Sequence, residues 1–252
     1  MILRSVTKHV KDQNWFAVAI DFFIVVFGVY VGLQVQEWSD QRALDASEAQ
    51  FLSEVREEIT YNAALNASLV ESMEVLVASG KRAVRFLESD RACDDDCWRI
   101  LVDLFTASQV FTPAMNAVVY DEMQRLGFPR ATEVKAAIND FYVLNATAYL
   151  GIDNNPKYRS SFRELLTIEA HEQLWSHCHS VKGPVELLIV DCPQSLPTEK
   201  IKTILDRIRA RPEVLDQLHY WIGMHSFWVP NFADILAAAD HAIEVIDSVQ
   251  QQ

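Results

Sequence analysis

The residues with the most defined chemistry are four cysteines, Cys93, Cys97, Cys178 and Cys192. Thiols that meet in an oxidising compartment form disulfides, and an even count predicts two bridges. The sequence-local pairing, Cys93 with Cys97 and Cys178 with Cys192, is the simplest of three. On chain-entropy grounds, a bridge closing the irregular 178–192 loop is worth about 3 kcal/mol. Metal ligation is the competing chemistry, because His171, His177, Cys178 and His179 crowd one helix end. Yet HEQLWSH sets its two histidines on different helix faces, and no C-x-x-C or H-E-x-x-H occurs, so no metal is expected. Asp94, Asp95 and Asp96 lack the alternating spacing and the glycine of a calcium loop and read as a solvated helix start.

A second chemical lead is Asp21, the only charged side chain in the run WFAVAIDFFIVVFGVYVGLQV. At helical spacing Ala17, Asp21, Val25, Gly28, Gly32 and Val35 share one face, with Gly28 and Gly32 within about 20° of Asp21. A G-x-x-x-G pair beside a carboxylate permits close approach of another helix, with Asp21 bonding across the interface; the alternative is a carboxylate reaching back to the membrane surface. The third lead is the aromatic group Tyr220, Trp221, Phe227, Trp228 and Phe232, which either lines a ligand cleft or packs the core at a Pro230 kink. No nucleophile elbow, phosphate loop or dinucleotide fingerprint occurs. No catalytic residue is assigned, and neither enzymatic activity nor a cofactor is expected.

Positioning these residues falls first to the apolar run itself. Trp15–Val35 is 21 residues, about 31 Å as a helix, which matches the hydrocarbon core. Trp15 and Trp38 bracket it, and Arg4, Lys8 and Lys11 lie only on its N-terminal side, which predicts a cytoplasmic N-terminus. The run is long for a signal peptide and is followed by QVQEWSDQ without an A-x-A-like site, so an uncleaved anchor is expected. The organisation read from the sequence is a cytoplasmic tail over 1–14, a transmembrane helix over 15–36 and an extracytoplasmic domain over 37–252. Of the formal charge of −13, residues after 36 account for 19 basic against 33 acidic, a net of −14. Such a surface repels nucleic acid and anionic headgroups, which are held by basic clusters.

The fold class predicted for the outer region is all-α: a helical bundle with long first and last helices. Half the residues are apolar and only seven are glycine. From Ser39 to Glu88 no proline intervenes, and Leu52, Val55, Ile59, Leu69, Met73, Leu76 and Leu87, joined by Asn62, Asn66 and Gly80, make a 3-4 seam facing a core. Further helices are expected over 95–109, 113–126 with Thr112-Pro113 as its start, 131–150, and from the Asn154-Asn155-Pro156 turn to His177. VELLIV at 185–190 reads as a strand with no sheet to join. Pro212 to Val249 carries a helical stripe that Pro230 should kink or split, and its length suits it to lie antiparallel to the 39–88 helix.

DFFIVVFGVYVGLQVQEWSDQRA followed by FLSEVREEI resembles the N-terminal signature of an uncharacterised family of bacterial single-pass membrane proteins. In that family an acidic residue precedes a VV-x-G run, then LQ, a Trp and a polar helix. Asp21, Gln34 and Trp38 sit at those landmarks, Asp21 where the family usually shows Glu, and the resemblance covers about residues 15–62. It implies a bacterial inner membrane and no assigned activity.

Three function classes follow. The first is an anchored scaffold or interaction protein, partnered by its own copies or by a membrane or envelope protein. The second is a subunit of an ion-coupled complex using Asp21; the third is an extracytoplasmic sensor or ligand-binding bundle. All three require the C-terminus outside the cytoplasm. A reporter active only there, fused after Gln252, should therefore work, and activity confined to a cytoplasmic reporter at the same site would reverse the topology.

Overall fold

The computed structural model describes residues 15–111, 115–151, 155–182 and 185–251, and for residues 15–19, 21 and 185 it describes the backbone alone. The expected tail over 1–14, the Thr112-Pro113 cap and Asn154 lie outside the described residues. The protein is almost entirely helical, as its composition predicts. Helix α1 runs Trp15–Leu87, followed by α2 (Cys97–Ala107), α3 (Val118–Arg125), α4 (Thr132–Gly151), α5 (Lys157–Arg163) and α6 (Ile168–Cys178). A hairpin of β1 (His179–Lys182) and β2 (Val185–Leu188) precedes α7 (Thr198–Arg209) and α8 (Pro212–Gln250). Contacts divide the chain after Phe51 into two compact units.

In the first unit every side chain from 22 to 47 is exposed. The apolar stretch makes α1 a candidate membrane span, long and apolar enough to cross by length and composition, with none of that stretch buried. Polar contacts begin at its end: Gln34 donates to Glu37, Gln41 to Asp45, and the Arg42 guanidinium lies 3.7 Å from the centre of the Trp38 ring.

In the second unit the seam of α1 faces the core. Leu52, Val55, Ile59, Leu69, Met73 and Leu76 are buried, each removal from water being worth about 1.5–3 kcal/mol. The polar positions of the seam are buried too, and each has a partner: Asn62 exchanges two bonds with the Asn116 backbone, and Asn66 donates to Asn145 of α4. Helix α8 runs antiparallel to this part of α1. Arg56 pairs with Asp247 at 2.6 Å near one end, Ile222 packs against Gly80, and His219 meets Glu88 at the other end.

Three expectations are corrected and a fourth, the kink or split at Pro230, is narrowed. VELLIV is not a lone strand: β2 pairs antiparallel with β1, His179 opposite Leu188, so 178–192 is a hairpin and not an irregular loop. A two-stranded ribbon is marginal alone; this one is tied at its base, where Ile189 donates to the Cys178 carbonyl and Cys178 meets Cys192. The helix expected up to His177 is two, because Thr167 leaves helical geometry and accepts from the Ala170 N–H as the cap of α6. Helix α7 was not foreseen, although Ile201, Ile204, Leu205 and Ile208 form a buried stripe. Pro230 does not split α8, since burial of Trp221, Ile222, Phe232 and Ile235 on both sides outweighs one lost backbone bond, and Asn231 adds a side-chain donor to the Phe227 carbonyl.

Helix α3 begins at Val118, and its cap comes from α1. The buried Glu58 carboxylate accepts from the N–H groups of Val119 and Tyr120, at 2.9 and 3.2 Å, and from the Tyr142 hydroxyl at 2.5 Å. A carboxylate at a helix N-terminus also meets the positive end of the dipole. Glu58→Ala leaves three donors unpaired and should lower unfolding stability in urea by about 2–4 kcal/mol. Glu58→Gln, which keeps one acceptor oxygen, should lose less; equal losses would reduce the contact to packing.

Candidate functional site

The six residues of the predicted association face all fall in the first part of α1. The side chains of Ala17 and Asp21 lie outside the described residues. Val25 and Val35 are exposed, and nothing lies within 4 Å of a Cβ built on Gly28 or Gly32.

The cysteines form two pairs at disulfide distance, Cys93 with Cys97 and Cys178 with Cys192, with Cα atoms 5.0 and 5.1 Å apart. Helix α2 starts at Cys97, which lets the short 93–97 pair close across a non-helical turn. The histidines considered for metal point to other partners. His171 shares a hydrogen bond with the Arg163 carbonyl, His177 with the Gln173 carbonyl, and His179 with the Glu186 carboxylate. Among the described residues no group of three His, Cys, Asp or Glu side chains is placed to hold a metal ion. Of the acidic triplet, Asp96 is held by Arg91, which keeps its carboxyl below the usual range.

The aromatic residues of α8 do not converge. Trp221 and Phe232 are buried, Trp228 lies half-buried against Gly151, and Tyr220 and Phe227 are exposed. Part of the group nevertheless borders a cavity of about 480 Å³, lined by Pro156, Lys157, Tyr158, Asp216, Gln217, Tyr220 and Trp221. The polar ends of its two buried rings are tied away from it: Tyr158 donates to the Leu104 carbonyl at 2.9 Å and the Trp221 indole to the Ala107 carbonyl at 2.8 Å, both on α2. The Gln217 amide oxygen is buried without a partner among the described residues. Aromatic walls, one unspent amide and the charges of Lys157 and Asp216 are the make-up of a small-molecule site of ordinary size.

No protein-family model, curated protein or solved structure matches the chain.

Arg159 and Arg163 of α5 donate to the Ser108 carbonyl at the C-terminal end of α2, and Arg163 also reaches the Gln109 side chain, while its guanidinium lies 5.0 Å from the Trp175 ring centre. Cations suit that end of a helix dipole, and burial brings Arg163 down to about 10. Burial pushes the phenols of Tyr142 and Tyr158 up, which removes both as bases. Sequence reasoning found Tyr220 and Trp221 but missed Pro156, Lys157, Tyr158, Asp216 and Gln217 as cavity residues. Helix α5 reaches α8 by tertiary packing and by bonds to the end of α2, which leave no mark in the local pattern.

His225 is buried, shares a hydrogen bond with the Trp221 carbonyl through Nδ1, and lies 3.9 Å from the Trp221 ring, centre to centre. Burial lowers its pKa to about 4. The unfolded chain, with a pKa near 6.5, then binds a proton that the folded protein refuses. The neutral-state stability is complete above pH ~6.5 and is lost as pH falls towards about 4, on the order of 3 kcal/mol in all. His225→Gln should flatten the urea-stability curve over that window; an unchanged slope would place the acid sensitivity elsewhere.

Proposed function

We propose that this chain is an anchored scaffold or interaction protein of the bacterial inner membrane. Its N-terminus is cytoplasmic, and the helical unit from Leu52 onward works on the periplasmic side, bound to its own copies or to a membrane or envelope partner. The observation that carries the reading is the unbroken exposure of Phe22, Phe23, Ile24, Val25, Val26, Phe27, Val29, Tyr30, Val31, Leu33 and Val35. Soluble proteins do not leave so large an apolar surface in water, whereas a bilayer or another helix satisfies it. The basic residues before the run favour that orientation, and two cysteine pairs at disulfide distance suit an oxidising compartment.

The face Ala17, Asp21, Val25, Gly28, Gly32 and Val35 is the association surface in this reading, with both glycines unobstructed. Gly28→Leu with Gly32→Leu should abolish crosslinking of the anchor in native membranes, and Asp21→Asn should preserve it. Unchanged crosslinking in the double-leucine variant would dismiss the face. Loss of function with assembly intact in Asp21→Asn would transfer support to the ion-coupled class. A second reading, a ligand-binding bundle, is favoured by the 480 Å³ cavity beside Tyr220 and Trp221.

A further inference from the structure

A second cavity, of about 320 Å³, lies at the far end of α1 and is lined by Arg82, Arg85, Phe86, Ser89, Arg91, Asp96, Arg99, Ile100 and Asp103. Four arginines against two aspartates leave this lining two charges positive in a protein of net charge −13. Asp103 is buried and is shared: Arg82 grips it with two bonds of 2.9 and 2.6 Å, and Arg99 approaches it at 3.4 Å. Asp96 is committed to Arg91, and Arg99 also pairs with Asp191 outside the lining. These bonds hold the 88–96 turn against α1 and α2, with Arg209 adding three bonds to the carbonyls of Phe86, Ser89 and Arg91. Arg85 has no part in that framework: it is exposed and makes no hydrogen bond or ion pair among the described residues.

We propose that this cavity binds a phosphate group, either free orthophosphate or the phosphomonoester of a small metabolite, with Arg85 as its principal unspent donor. A structural role accounts for Arg82, Arg91 and Arg99, each held by a carboxylate, whereas Arg85 borders the same cavity with its donors unspent. With Asp191 set against Arg99, Arg85 is the one uncompensated charge of the lining, and a phosphate group, with about 1.5–2 negative charges near pH 7, meets it. Guanidinium forks match its oxygens in pairs. Ile100 gives the remainder of a small organic ester an apolar contact, while the Phe86 ring is covered by Arg91 and Arg209. The volume is at the lower end of small-molecule sites, which excludes a folded partner.

The site is independent of how the anchor associates, so its failure and that of the scaffold reading are separate events. The test is calorimetric titration of the full chain in non-ionic detergent, at fixed ionic strength, with sodium phosphate, glycerol 3-phosphate and sodium chloride. Saturable one-to-one binding of phosphate or glycerol 3-phosphate is expected, weakened at least tenfold by Arg85→Gln and unchanged by Lys81→Gln on the same helix outside the cavity. Tighter binding of the ester identifies a small metabolite; equal binding identifies the free ion. Thermal unfolding without ligand should be the same in both variants. Absence of saturable binding, heat reproduced by chloride, or an Arg85→Gln variant that binds as well as the unaltered chain would each overturn the proposal.

Discussion

The folded unit depends on how closely α8 can approach the second half of α1. At Gly80 the Ile222 side chain occupies the space that a Cβ would fill, so any larger residue there forces the helices apart or Ile222 aside. That contact lies between the Arg56–Asp247 pair towards one end and the Glu88–His219 pair at the other, and the three together fix the antiparallel register. The ion pairs are exposed enough to contribute little by themselves. Packing sets the spacing, and the charges select the register.

With that spacing set, the remaining helices close the core through polar groups that would otherwise be liabilities. Glu58, Asn62 and Asn66 sit on the apolar seam of α1, and each would destabilise a purely hydrophobic packing. Each instead meets a specific backbone or side-chain partner on or just before α3, or on α4. The start of α3 therefore needs no capping residue of its own, and its position follows from α1. The same logic operates at the end of α2, where Arg159 and Arg163 arrive from α5 to satisfy the Ser108 carbonyl.

Helix α2 is thus a hub of recognition chemistry as well as of packing. Its carbonyls take the polar ends of Tyr158 and Trp221 and free those ring faces for the aromatic cavity. Its first turns contribute Arg99 and Asp103 to the arginine-lined cavity. The two concavities differ in character, one aromatic and nearly neutral, the other basic, and this separates the chemistry each can recognise.

The sequence by itself determined the helical class, the apolar run, the core-facing seam of α1 and the stripe of α8, because each is a periodicity carried by neighbouring residues. It also made the local cysteine pairing the simplest, and the pairs at disulfide distance are those pairs. Tertiary structure alone decided the rest. The passage of α8 through Pro230 and the capping of α3 by Glu58 depend on packing against residues distant in the chain, and the VELL strand finds its partner only when HSVK beside it leaves helical geometry. The arginine cavity is the clearest case. Arg82 and Arg85 are one turn apart on α1, but Arg91 lies in a turn and Arg99 on another helix, and no spacing rule relates them. Their charges converge only because the 88–96 turn folds back between α1 and α2, a geometry set by packing and long-range bonds and not by local propensity.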